Sequence, residues 1–213
     1  LVSDTYPMNP ENGKIYNGIV KEIDGEKVGI FGLTTEETKD IAFVGSVQFK
    51  NYIEEAKKAV EAFEAQGVNK IVAVTHIGYD DNPAVDNDLT LAKEVDGIDI
   101  IIGGHSHTQL DAPVVITTDE NGVERDPTII VQAYQYNEYL GTLDVEFDKD
   151  GVVTDQDGKL IKIADKEADP EAAALLQPYA ERIETVKNTP TNGVAAKALT
   201  SPRNGGDVTK PSV

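Results

Sequence analysis

The sequence predicts an α/β fold built around a largely parallel sheet, and three observations predict it. Short β-branched runs at 69–75 (NKIVAVT) and 98–102 (IDIII) have the composition of strands buried on both faces. Segments with helical periodicity precede them, at 51–66 and at about 87–95. That alternation of strand and helix is the pattern of parallel strands joined by crossover helices.

Taken in chain order, residues 1–14 (LVSDTYPMNPENGK) mix Pro, Asn and Gly without a period and read as a connecting loop. Residues 15–23 and 27–33 read as two strands joined by the turn Asp24-Gly25. Within 51–66, Ile53, Ala56, Val60 and Phe63 share one helical face, and Gly67 is the expected C-cap. Beyond 102, the runs 112–118, 128–134 and 140–148 read as strands of an antiparallel or mixed edge, with turns at Asn121-Gly122 and Asp150-Gly151. Asp169-Pro170 is a helix start, an N-cap followed by Pro at the first helical position. The helix is expected to run to about 187, with Ala172, Leu175, Leu176, Tyr179, Ile183 and Val186 on one stripe. After Pro190 the composition turns to Thr, Gly, Pro and Lys, with little core-forming material. No internal repeat and no long low-complexity tract interrupts this order.

Charge narrows the partners. The 213 residues carry a net charge of −19, with 38 acidic against 19 basic side chains. Such a field repels phosphate backbones and anionic lipid heads, so nucleic acid polymers and membrane surfaces are poor partners. A small anionic substrate stays compatible, because a bound dication reverses the local sign. Most of the carboxylates are read simply as a solubility surface. The absence of cysteine excludes disulfides and thiolate ligands or nucleophiles. No apolar run approaches the roughly 20 residues of a membrane span, and a soluble chain is expected. No signal peptide is visible; Leu1 is not an initiator Met, so the natural N-terminus is expected upstream.

The chain has three histidines, and each stands just past the carboxyl end of an expected buried strand: His76 in V-T-H-I-G, His105 and His107 in G-G-H-S-H-T. In open α/β sheets the crevice beyond the strand C-termini is where sites are built. If the two strands are neighbours, all three imidazoles converge, and imidazole suits zinc, manganese, iron or nickel. Gly103 and Gly104 let the backbone turn sharply and approach an ion or phosphate. A single strand-end histidine is more often a hydrogen-bonded structural residue; three of three, two of them in Gly-Gly-His-x-His, outweigh that reading. Asp80 and Asp81 follow His76 closely, but Tyr79-Asp80-Asp81-Asn82-Pro83 reads better as a solvated turn than as a ligand pair. Tyr134, Tyr136 and Tyr139 are candidates for a base-stacking platform, with packing against the sheet edge the better reading.

These segments resemble a known family. NGIVKEIDGEKVGIFGLTT, EEAKKAVEAFEAQGVNKIV, VTHIGYDD, IDIIIGGHSHT and YNEYLGTLDVEFDKDG, in this order over about residues 14–200, are similar to the calcineurin-like metallophosphoesterases. The likeness is to the group of bifunctional 5'-nucleotidases and 2',3'-cyclic-nucleotide phosphodiesterases. The paired histidine motifs at this separation are its specific part. The resemblance implies a four-layer αββα sandwich, of which residues 1–165 form the second half. It further implies a connector helix over 166–190 and, at 191–213, the start of a C-terminal domain whose first strand is 194–203. His76 and His105 would match ligands of one metal and His107 a ligand of the other, in a site of two divalent ions such as manganese or zinc. Such a site binds phosphate and an attacking water.

The departures are equally informative. The family's first half supplies an Asp-x-His motif, a bridging Asp, and an Asn-His-Asp/Glu motif holding the catalytic His; none is present, so no catalytic residue is assigned within this chain. The missing N-terminal half-domain and the C-terminal domain, which grips the nucleoside in the family, are therefore expected elsewhere. The implied activity is metal-dependent hydrolysis of nucleotide phosphoesters. A non-catalytic surface module that keeps the fold, or an enzyme acting mainly on cyclic nucleotides or nucleotide sugars, are the competing readings. The resemblance also implies a bacterial protein that is periplasmic, extracellular or attached to the cell wall.

Overall fold

A computed structural model describes residues 16–80, 82, 84–190 and 193. The chain divides into two units, Leu1–Lys166 and Glu167–Val213. The expected loop at 1–14, Asp81 and the expected strand at 194–203 lie outside the described residues.

In the first unit, β1 (Gly18–Ile23) and β2 (Glu26–Thr34) form an antiparallel hairpin. Its turn residues Asp24 and Gly25 have φ of 51° and 88°, the left-handed pair that a two-residue hairpin requires. After a short helix α1 (Thr38–Ile41), α2 spans Tyr52–Glu64. Asn51 caps it by accepting the backbone N–H of Glu54. Strand β3 (Ile71–His76), helix α3 (Asp88–Glu94) and strand β4 (Ile100–Ile102) follow, then β5 (Val114–Thr118) and β6 (Glu124–Val131). The sheet order is β1-β2-β3-β4-β6-β5, with β2, β3, β4 and β6 mutually parallel and β1 and β5 antiparallel at the borders. The expected parallel centre is there, and β3 and β4 are neighbours within it.

Helices α2 and α3 cover one face. Ala56, Ala59, Val60 and Phe63 from α2 and Leu91 and Ala92 from α3 are buried with Phe31, Ile71, Ala73 and Ile101 in one core. The opposite face departs from expectation. Burial of β3 and β4 on both sides does not hold, since Val74 and Ile102 are 46% and 45% exposed. This face is covered only in part by β7 (Tyr139–Phe147) and β8 (Val153–Lys162), which pair as a separate two-stranded sheet. Residues 140–148 are thus no edge of the main sheet. Between the layers lies a cleft of about 340 Å³, lined by Val72, Ile100, Ile102 and Val131 on one side and Leu143 and Leu160 on the other.

Two more boundaries shift for identifiable reasons. Strand β6 begins at Glu124 rather than 128, because the Asp126-Pro127 pair sits where the β5–β6 register is irregular and no ladder N–H is required of Pro127. It stops at Val131 because the chain soon turns left-handed, at Tyr134 with φ 64°. In the second unit, α4 spans Pro170–Lys187, capped by the Asp169 carboxylate accepting Ala172 N–H. Its stripe residues Leu175, Leu176, Tyr179, Ile183 and Val186 are exposed.

One half-buried acid ties the sheet together at the end away from the histidines. Asp99 Oδ2 accepts the backbone N–H of Ile71 at 2.6 Å, fastening the start of β3 to the start of β4. Burial pushes the Asp99 carboxyl up to about 7 despite that bond and the nearby Lys70 ammonium. The folded state therefore holds a proton that the unfolded chain releases near pH 4, and stability falls as pH rises from about 4 to 7. Asp99→Asn keeps an acceptor for Ile71 and removes the titration. It is expected to stabilise the fold on the order of 1–2 kcal/mol at pH 8, discounted for screening on its solvent side. The gain should shrink as pH falls toward 4, as urea denaturation at several pH values will show.

Candidate metal centre

The parallel pairing of β3 and β4 brings the two histidine motifs side by side. The register Val74↔Ile102, continued two residues, sets His76 level with Gly104. The imidazoles of His76 and His105 stand 5.1 Å apart between ring centroids, nearly edge to face. The ring of His107, two residues further on, meets that of Tyr136 at 5.3 Å. Burial first, then the proximity of His105 and His107, pushes the His76 imidazole below its ordinary value. A neutral imidazole is the form that donates a lone pair to a cation.

The glycine pair has a steric reason. A Cβ on Gly103 would lie 2.2 Å from Asp88 Oδ2, and one on Gly104 would lie 3.2 Å from His76 Nδ1. The turn is then held by side chains. Buried Gln132, just past β6, accepts Thr108 N–H and donates from Nε2 to Gly104 O at 3.3 Å. Ser106 Oγ accepts the Tyr79 N–H at 3.0 Å, joining the two histidine loops. Asp88 is buried and accepts the Thr75 hydroxyl at 2.6 Å. His105 and His107 themselves adopt left-handed backbone, φ 76° and 55°. Strained positions of this kind cluster at functional sites.

Carboxylates gather at the same end of the sheet. Glu37, in the loop after β2, places Oε2 3.7 Å from His105 Nε2, and Asn82 donates to its other oxygen. Asp86 is buried and raised by that burial, although it accepts Glu36 N–H at 2.8 Å and the Thr35 hydroxyl at 3.2 Å. Glu37 and Gln132 were not singled out from the sequence. The signal that finds them is the one that found the histidines: a polar side chain at or just past a parallel strand's carboxyl end. Neutral imidazoles beside a carboxylate are a donor set that fits zinc or manganese. Among the described residues, no three His, Asp or Glu side chains converge tightly enough to hold an ion by themselves. Tyr134 does not join a platform with Tyr136; its ring stacks edge-on against Tyr139 at 6.1 Å.

No family model matches the chain. It is 43% identical over 179 residues to the trifunctional nucleotide phosphoesterase protein YfkN of Bacillus subtilis, covering 82% of this chain and 11% of that protein. It is 30% identical to a 5'-nucleotidase of Diplobatis ommata, over 77% of this chain and 29% of the relative. Among solved structures it matches the 5'-nucleotidase precursor of Thermus thermophilus with a TM-score of 0.72 and 32% identity, covering 84% of this chain and 36% of that one. The chain thus spans about a third or less of the length of these proteins. With the fold, the order of motifs and these likenesses in agreement, the chain belongs to the family of the 5'-nucleotidases and related nucleotide phosphoesterases.

Proposed function

We propose that this chain supplies one side of a calcineurin-like dinuclear metal centre, and that the complete protein hydrolyses phosphoesters of nucleotides. The observation that carries this reading is the pair of imidazoles 5.1 Å apart at the carboxyl ends of two adjacent parallel strands, with His107 following two residues after His105. His76 and His105 would serve one divalent ion, manganese or zinc, and His107 the other. Bound ions would supply positive charge to the phosphoryl oxygens and make water nucleophilic at neutral pH.

The chain's own part is positional. Gly103 and Gly104 bring the backbone against Asp88 and His76, Gln132 and Ser106 fix the loops, and Glu37 faces His105. Three neutral imidazoles do not offset two dications, so the remaining anionic ligands are assigned to segments outside this chain, as is the nucleoside-binding domain. The division at 1–165, 166–190 and 191–213 belongs to the same reading. So does a location outside the cytoplasm of a bacterium; the Thermus relative, described as a precursor, and the acidic composition support it.

The test is phosphate release by the complete protein with manganese or zinc, against AMP, a 2',3'-cyclic nucleotide and a nucleotide sugar. Metal-dependent release from AMP, lost on chelation, is expected, with no appreciable release by residues 1–213 alone. A complete protein that binds no metal and hydrolyses none of the three would leave the non-catalytic module as the answer. Turnover by residues 1–213 equal to that of the complete protein would show the division of ligands to be wrong.

A further inference from the structure

We infer that Tyr136 is a positioning residue for His107, its ring setting the direction in which that imidazole points. The inference rests on the reading above that His107 serves a metal. An imidazole bound to a metal is ordinarily oriented by a hydrogen bond from its second ring nitrogen to a carboxylate or carbonyl. His107 makes no such bond to another described residue; its neighbour is the Tyr136 ring, 5.3 Å away and inclined at 61°. An edge-to-face contact of this kind restricts ring rotation as a hydrogen bond would, though more weakly.

The backbone argues that Tyr136 is placed there at a cost. Tyr134, Tyr136 and Asn137 have φ of 64°, 48° and 59°, left-handed positions in which glycine would be free of strain and tyrosine is not. Tyr134 is compensated by its contact with Tyr139. Tyr136 is 80% exposed, so burial offsets little of its strain. What it gains is the contact with His107. That contact is fixed by the backbone: Leu110 N–H donates to Gln132 O and Tyr134 N–H to Thr108 O, both at 3.2 Å, zipping the histidine loop to the tyrosine turn.

Two readouts test this, and neither is activity. Residues 1–213 contain only three histidines, so their imidazole resonances are few enough to assign. In Tyr136→Gly the His107 ring signals should lose the ring-current shift that the tyrosine imposes while those of His76 and His105 stay; Tyr136→Phe should keep the shift. In the complete protein, calorimetric titration with manganese should show one binding step weakened about three- to tenfold in Tyr136→Gly and less than twofold in Tyr136→Phe. Tyr136→Gly should melt no lower than the parent, because glycine relieves the left-handed strain, so a weaker affinity cannot be ascribed to misfolding. Unmoved His107 signals, unchanged affinity in Tyr136→Gly, or a Tyr136→Phe variant that behaves like it, would each overturn the role of Tyr136. A parent protein that binds no manganese would overturn the metal reading along with it.

Discussion

His76→Ala in the complete protein is expected to lower kcat/KM for AMP by roughly a thousandfold, about 4 kcal/mol of transition-state stabilisation. His76 ends a regular strand, so alanine removes the imidazole and leaves the backbone undisturbed. Loss of a residue that merely supports a ligand costs about 10- to 100-fold, and loss of the ligand itself should cost more. His105 calls for a different substitution. Its φ of 76° would strain alanine, whereas asparagine tolerates left-handed backbone, so His105→Asn is the cleaner deletion of that ring. Both variants should keep the parent's circular dichroism and melting point. Activity of either within tenfold of the parent, in excess manganese, would remove the histidine pair from the reaction.

The second large effect is on stability. Gly103→Ala would force a Cβ to 2.2 Å from Asp88 Oδ2 and 3.1 Å from Gln132 Nε2. Asp88 cannot swing away freely, because it is fully buried and its other oxygen holds the Thr75 hydroxyl at 2.6 Å. Overpacking costs about 1–3 kcal/mol and a disrupted buried hydrogen bond a similar amount, so a loss of roughly 3–5 kcal/mol is expected. For a domain of this size that lowers Tm by about 10 °C or more. Gly104→Ala is the control. Its Cβ meets His76 Nδ1 at 3.2 Å and Thr75 O at 3.3 Å, contacts relieved by shifts of a few tenths of an ångström. Thermal unfolding of residues 1–213 distinguishes the two, and a Gly103→Ala variant melting within about 2 °C of the parent would mean that Asp88 has room to move.

The sequence made the histidines legible because each closes an apolar run, and the end of a run marks the end of a strand. It also marked the glycine turn, although not its cause, since Asp88 lies 15 residues away and meets Gly103 only in the folded chain. Strand β8 escapes a sequence reading for the opposite reason. Its stretch VTDQDGKLIK is too polar to stand out, and it forms because β7 supplies a complete antiparallel partner. The apolar runs at β3 and β4 overstate burial, since Val74 and Ile102 are as hydrophobic as Ala73 and Ile101 but face the half-covered side. The left-handed histidines and tyrosines carry no sequence signal at all. Glycine advertises such a backbone; a side chain retained there for its ring does not.

The place of β5 at a border of the six-stranded sheet has a colloidal consequence. Its sequence Val-Val-Ile-Thr-Thr is uncharged, and among the described residues it pairs on one side only, with β6. The free row of N–H and C=O groups is a template for a strand from a second molecule. Asp111 and Asp119 flank it, and the net charge of −19 holds molecules apart. That protection reaches only as far as the screening length, about 10 Å at 0.1 M salt and about 3 Å at 1 M. Concentrated salt therefore disarms the repulsion while leaving the edge intact, and self-association in salting-out media will begin at β5.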